Sequence, residues 1–72
     1  MKKVFKLTDL DCANCAAKME RAIQKIEGVQ SASVQFMSQR LTIEADEVAM
    51  TSILTAASEV IAKIEPHCKI VF

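Results

Sequence analysis

The apolar residues of this chain change period along its length, from the two-residue repeat of a strand to the 3.6-residue repeat of a helix and back. That alternation restricts the fold more than any single motif does. Phe5 and Leu7 alternate with Lys6 and Thr8, as in a half-buried strand, and Asp9-Leu10-Asp11-Cys12 follows as a loop. From Ala13 to Glu27 the apolar positions Ala16, Met19, Ile23 and Ile26 recur at helical spacing. Lys18, Glu20, Arg21, Gln24 and Lys25 fall largely on other faces, and Gly28 supplies the stop. Residues Val29 to Phe36 set Ala32, Val34 and Phe36 against Ser31, Ser33 and Gln35. Leu41, Ile43 and Ala45 repeat the alternation after a polar connection at Met37 to Gln39, which predicts an antiparallel hairpin. A second helix is predicted over Glu47 to Lys63, with Met50, Ile53, Leu54, Ala57 and Ile61 as its apolar stripe. Pro66 marks its exit, and Lys69 to Phe72 form a last strand in which Ile70 and Phe72 share a parity.

The resulting order, β-α-β-β-α-β with one polar face on the strands, predicts an α+β fold. It is the ferredoxin-like βαββαβ sandwich, a four-stranded antiparallel sheet with two helices on one face. At 72 residues, with no linker or repeat, residues 1–72 are expected to make one domain. In such a topology each element reverses the one before. The loop after the first strand, the hairpin connection at Met37 to Gln39 and the segment Glu65 to Cys68 are therefore expected at one end.

Composition excludes several functions. Nine basic and nine acidic residues cancel, and three Phe with no Tyr or Trp offer little to stack on bases, so a nucleic-acid partner is not expected. The longest apolar runs are far shorter than the roughly 20 residues that span a bilayer. Lys6, Asp9 and Asp11 interrupt any signal-peptide core after Met1-Lys2-Lys3-Val4-Phe5, and a cytoplasmic protein is expected. Three cysteines, an odd number, with two in a Cys-x-x-Cys, fit a metal or redox role in a reducing compartment better than a disulfide framework.

The residues that carry chemistry are Cys12-Ala13-Asn14-Cys15, at the junction of loop and helix. Unpaired N–H groups and the positive end of the helix dipole, together with Lys18, are expected to lower the pKa of these thiols and favour thiolate, the form that binds metal. Thiolates select Cu(I), Zn(II) and other thiophilic ions over Mg(II) or Ca(II). A buried or redox-active pair is the competing reading, but a thiol-disulfide oxidoreductase of the thioredoxin type normally exceeds this length, and Pro66 is the sole candidate for its cis-proline. Acylphosphatase-like catalysis would want an Arg in the first loop, where there is none, and no catalytic residue is assigned. Glu65, His67 and Cys68 share the thiol end and are candidates for a further ligand, although Cys68 has the parity of a core residue. Met19, Met37 and Met50 are read as packing or turn residues.

At these positions the chain resembles the heavy-metal-associated domain family, whose metal loop is commonly written Gly-Met-Thr-Cys-x-x-Cys and whose fold is the same sandwich. The resemblance runs through Leu10-Asp11-Cys12-Ala13-Asn14-Cys15-Ala16-Ala17-Lys18, Ile26-Glu27-Gly28-Val29, Val34-Gln35-Phe36 and Leu41-Thr42-Ile43, covering essentially the whole chain. Members include soluble copper chaperones, mercury carriers and N-terminal modules of P-type ATPases. This chain departs from the common loop at three places: Asp9 for Gly, Leu10 for Met and Asp11 for Thr. Asp-Cys-x-x-Cys is similar to the modules of ATPases that export zinc, cadmium and lead, and Cys-x-Asn-Cys-Ala-Ala-Lys is a familiar run in the cadmium ATPases.

The resemblance implies a metal site of Cys12, Cys15 and Asp11 for Zn(II), Cd(II) or Pb(II), with Cu(I) as the alternative ion. Chemistry agrees, since divalent ions of this kind seek about four ligands and accept carboxylate oxygen, whereas Cu(I) is content with two thiolates. Two thiolates on Cu(I) already leave a net negative charge that Asp11 would repel; on a divalent ion they leave none. The chain stops directly after its last strand, as an excised module would. The resemblance thus implies a cytoplasmic domain of a metal-exporting P-type ATPase that hands its ion on by ligand exchange, with other domains of that parent or a donor or acceptor protein as partners. A free-standing copper or mercury metallochaperone of the same fold is the alternative.

Overall fold

In the computed structural model, which describes residues 1–72, the elements follow the expected order. They are β1 (Lys2–Thr8), α1 (Ala13–Gln24), β2 (Val29–Gln35), β3 (Arg40–Ala45), α2 (Glu47–Ile64) and β4 (Lys69–Val71). The strands form one antiparallel sheet in the order β2-β3-β1-β4, the ferredoxin-like arrangement, in which consecutive hairpin strands β2 and β3 are neighbours and β1 lies between β3 and β4.

Side-chain alternation decides which face is buried. Leu7 pairs with Ile70, and Ala32 with Ile43 and Val34 with Leu41, so that these residues line the inner face. Both helices lie on it, with Ala16, Met19 and Ile23 of α1 and Met50, Ile53, Ala57 and Ile61 of α2 completing the core. Each large side chain so buried contributes about 1.5–3 kcal/mol. No polar or charged residue is buried. No helix is long and apolar enough to cross a membrane.

Three boundaries differ from the periodic reading. First, α1 ends at Gln24, not Glu27, because its last turn tightens: Lys25 N–H donates to Ala22 O and Ile26 N–H to Ile23 O, at 3.2 and 3.0 Å. Ile26 still packs on the core, and Gly28, at φ 95°, makes the left-handed exit into β2. Second, Phe36 leaves the strand for the turn and is half-buried. Third, β4 pairs with β1 only from Lys69 to Val71, so Phe72 lies beyond the sheet and is 78% exposed rather than buried with Ile70. Its ring rests edge-on against Phe5, with centroids 6.3 Å apart.

The two sheet edges are unequal. Along β2, α1 supplies the missing partners: Glu20 Oε1 accepts the Val34 N–H at 2.8 Å, and Gln24 Nε2 donates to Ala32 O at 3.0 Å. Two side chains of one helix thereby close an edge that would otherwise present free ladder groups.

Candidate metal centre

The thiol end is assembled where β1 leaves the sheet. Asp9 adopts φ 56°, a left-handed conformation that glycine takes freely and aspartate tolerates better than most residues. This accounts for Asp9 at a position where the family commonly has Gly, and makes it a turn residue. Leu10, after the turn, is 2% exposed and anchors the loop in the core. Asp11 then projects as an exposed residue directly before the helix.

Cys12 is the N-cap of α1. Its backbone is extended, at φ −132° and ψ 118°, and its sulfur accepts the N–H of Cys15 at 3.1 Å, while Ala16 N–H donates to Cys12 O at 3.0 Å. The sulfur thus takes the place that a Ser or Asp oxygen usually fills at a helix start. Asp11 is not the cap. Cys15, one turn on, is half-buried against the core, and both cysteines are free thiols.

The two thiols are electrostatically unlike, which corrects the expectation that the helix end lowers both. The hydrogen bond from the Cys15 side chain, followed by the Cys15 backbone N–H, holds the Cys12 thiol below its ordinary value. The same side-chain bond holds the proton on Cys15, and burial and the neighbouring Cys12 charge add to it, so Cys15 is pushed up; Lys18 opposes this only weakly. Cys12 is therefore the thiol readier to ionise.

The remaining candidates divide by place. Cys68 is 2% exposed within the core, and burial, then Glu65, Asp9 and Asp11, push its thiol up. Those same acidic groups acting on Cys68, with Glu65 acting also on Cys12 and Cys15, mark the loop, the end of α2 and the start of β4 as neighbours. Leu7 N–H donates to Gln39 O at 2.8 Å and brings the hairpin turn to the same end, as the topology requires. His67 is exposed. No three His, Cys, Asp or Glu side chains are gathered into a ready-made cation site. The structure joins Cys12 to Cys15 and leaves Asp11 and His67 exposed and Glu65 half-buried around the pair, without gathering them into one site with it.

One residue that periodicity did not single out belongs to this end. The Gln39 amide accepts the Leu10 N–H at 3.0 Å and donates to Leu10 O and to Phe36 O. No signal in the sequence marked it; in the structure it stands at φ 57°, in a turn position where Gly or Asn is usual.

A partly exposed dithiol of this kind has the chemistry to hold a soft cation. The family pattern of the heavy-metal-associated domain matches residues 4–69. The chain is 31% identical over 67 residues to the cadmium, zinc and cobalt-transporting ATPase of Bacillus subtilis, a match covering 93% of this chain and 10% of that protein. It thus spans about a tenth of the length of that relative. It is 33% identical over 61 residues to the copper chaperone CopZ of Enterococcus hirae, covering 82% of this chain and 88% of that one. Among solved structures, the N-terminal domain of a potential copper-translocating P-type ATPase from Bacillus subtilis, in its Cu(I)-loaded state, superposes with a TM-score of 0.72 at 28% identity, over 96% of this chain and 84% of that domain. Fold, thiol loop and sequence agree: this chain belongs to the heavy-metal-associated domain family.

Proposed function

We propose that this domain binds a thiophilic divalent ion, Zn(II), Cd(II) or Pb(II), through the Cys12 and Cys15 thiolates with Asp11 as an oxygen ligand, and passes it on by ligand exchange as the cytoplasmic N-terminal module of a metal-exporting P-type ATPase. The observation that carries the divalent reading is Asp11 itself, an exposed carboxylate adjoining the capping thiol. Beside a Cu(I)-dithiolate it adds repulsion; beside a divalent dithiolate it completes a neutral-to-anionic ligand set at small cost. Because Asp11 is not gathered onto the thiols beforehand, it closes on the ion after the cysteines do. Cys12 binds first, and Cys15 releases its proton as the second thiolate forms. Partial exposure of both sulfurs leaves room for an incoming thiolate of an acceptor, which exchange requires. The ATPase assignment is supported by the match to the cadmium, zinc and cobalt transporter over nearly the whole of this chain.

A second reading, a Cu(I) carrier, is favoured by the similarity to a copper chaperone over 88% of that protein's length. Replacing Asp11 by Thr separates the two. Competition titrations should show Zn(II) affinity falling about tenfold, equivalent to about 1.4 kcal/mol, while Cu(I) affinity holds or rises. A parallel loss for both ions, or no change in either, defeats the divalent reading.

A further inference from the structure

The first strand leaves its ladder just before the metal loop. β1 pairs with β3 as far as Lys6 opposite Arg40, and one more bond, from Leu7 N–H to Gln39 O, extends the contact. Asp9 then turns left-handed and carries the backbone away. Leu10 is buried at 2% exposure, and its N–H and C=O have lost the strand that would have satisfied them; unpaired, such groups are costly. The Gln39 side chain supplies what is missing. Its amide accepts from Leu10 N–H and donates to Leu10 O, the reciprocal exchange that two residues of an antiparallel ladder make, and a further N–H reaches Phe36 O in its own turn.

Gln39 does this from φ 57°, a conformation that disfavours every side chain except short polar ones. Glycine would relieve the backbone but bring no amide. A side chain that stands against its local preference is explained by what it holds, and here that is the point two residues before Cys12.

We infer that Gln39 is a positioning residue for the metal loop: its amide fixes Leu10, and through it holds the backbone of the loop that carries Cys12 and Cys15 in place before an ion arrives. The inference rests on the Cys12–Cys15 site proposed above. Without the amide, the loop must be ordered when the ion binds, and the cost of ordering it weakens the complex.

Two substitutions test this with Cd(II) as the probe. Gln39→Met keeps length and removes all three side-chain hydrogen bonds. Gln39→Glu keeps the acceptor for Leu10 N–H, removes the donors, and adds a negative charge near the site. Charge attraction alone makes the Glu variant bind Cd(II) more tightly; positioning makes both variants bind about tenfold more weakly, with a faster off-rate. Amide hydrogen exchange in the metal-free proteins should quicken at Leu10 to Ala16 and leave the central strands protected. Unchanged affinity in Gln39→Met, tighter binding in Gln39→Glu, or weakening matched by equal loosening of the whole sheet overturns the proposal. Cys12→Ser run alongside keeps the two claims apart. If it binds Cd(II) like the parent, the site assignment fails, while the exchange pattern at Leu10 to Ala16, which needs no ion, still decides what Gln39 holds.

Discussion

Cys12 and Cys15 are joined by a bond between the sulfur of the first and the backbone N–H of the second, 3.1 Å long, so that one loop thiol caps the helix on which the other stands. The bond breaks the symmetry of the pair. The hydrogen bond from the Cys15 side chain is the larger stabiliser of charge on Cys12, the backbone bond adds to it, and the same side-chain bond raises the Cys15 thiol in return.

The order of thiol reactivity follows. As pH rises toward the ordinary thiol range, Cys12 passes its lowered pKa first and becomes thiolate while Cys15 is still protonated. Cys68, raised by burial and shielded in the core, comes last. Iodoacetamide labelling of the metal-free protein, followed by peptide mass spectrometry across a pH series, should place the half-maximal rate of Cys12 at lower pH than that of Cys15. Labelling of Cys15 ahead of Cys12 would contradict the hydrogen-bond direction.

The covered edge of β2 gives a second expectation. Glu20→Ala removes a charged acceptor from the Val34 N–H, a loss of about 1.5–3 kcal/mol, and Gln24→Ala removes a neutral donor from Ala32 O, about 0.5–1.5 kcal/mol. Urea denaturation reads both. Because the double variant exposes ladder groups on an edge strand, it should also show concentration-dependent association in sedimentation velocity that the parent lacks.

Most of the architecture was legible from periodicity, because Leu7, Ile43 and Ala57 each satisfy the repeat of their element and the core at once. The ends were less so. Glu27 obeys the helical pattern, yet the helix stops at Gln24, since Gly28 must reverse the chain while Ile26 stays on the core. Phe72 has the right parity for burial, but the ladder of β4 with β1 ends at Val71 and the ring is left exposed against Phe5. At the candidate site, the pairing of Cys12 with Cys15 at a helix start was legible from spacing and position. Their unequal ionisation was not, because it depends first on the hydrogen bond between the two side chains and then on which sulfur the Cys15 N–H meets. Gln39 was invisible for a similar reason: its partner, Leu10, lies 29 residues away in sequence, and only the folded turn brings the amide to it.

The most direct test of the metal site is equilibrium dialysis of Cd(II) against the parent protein and three single variants, Cys12→Ser, Cys15→Ser and Cys68→Ala. The parent and Cys68→Ala should form a one-to-one complex of equal affinity, since Cys68 is buried in the core. Loss of either loop thiolate should weaken binding by two orders of magnitude or more, about 3 kcal/mol. Retained affinity in Cys12→Ser, or loss of binding in a folded Cys68→Ala, would contradict the assignment of the ion to the Cys12–Cys15 pair.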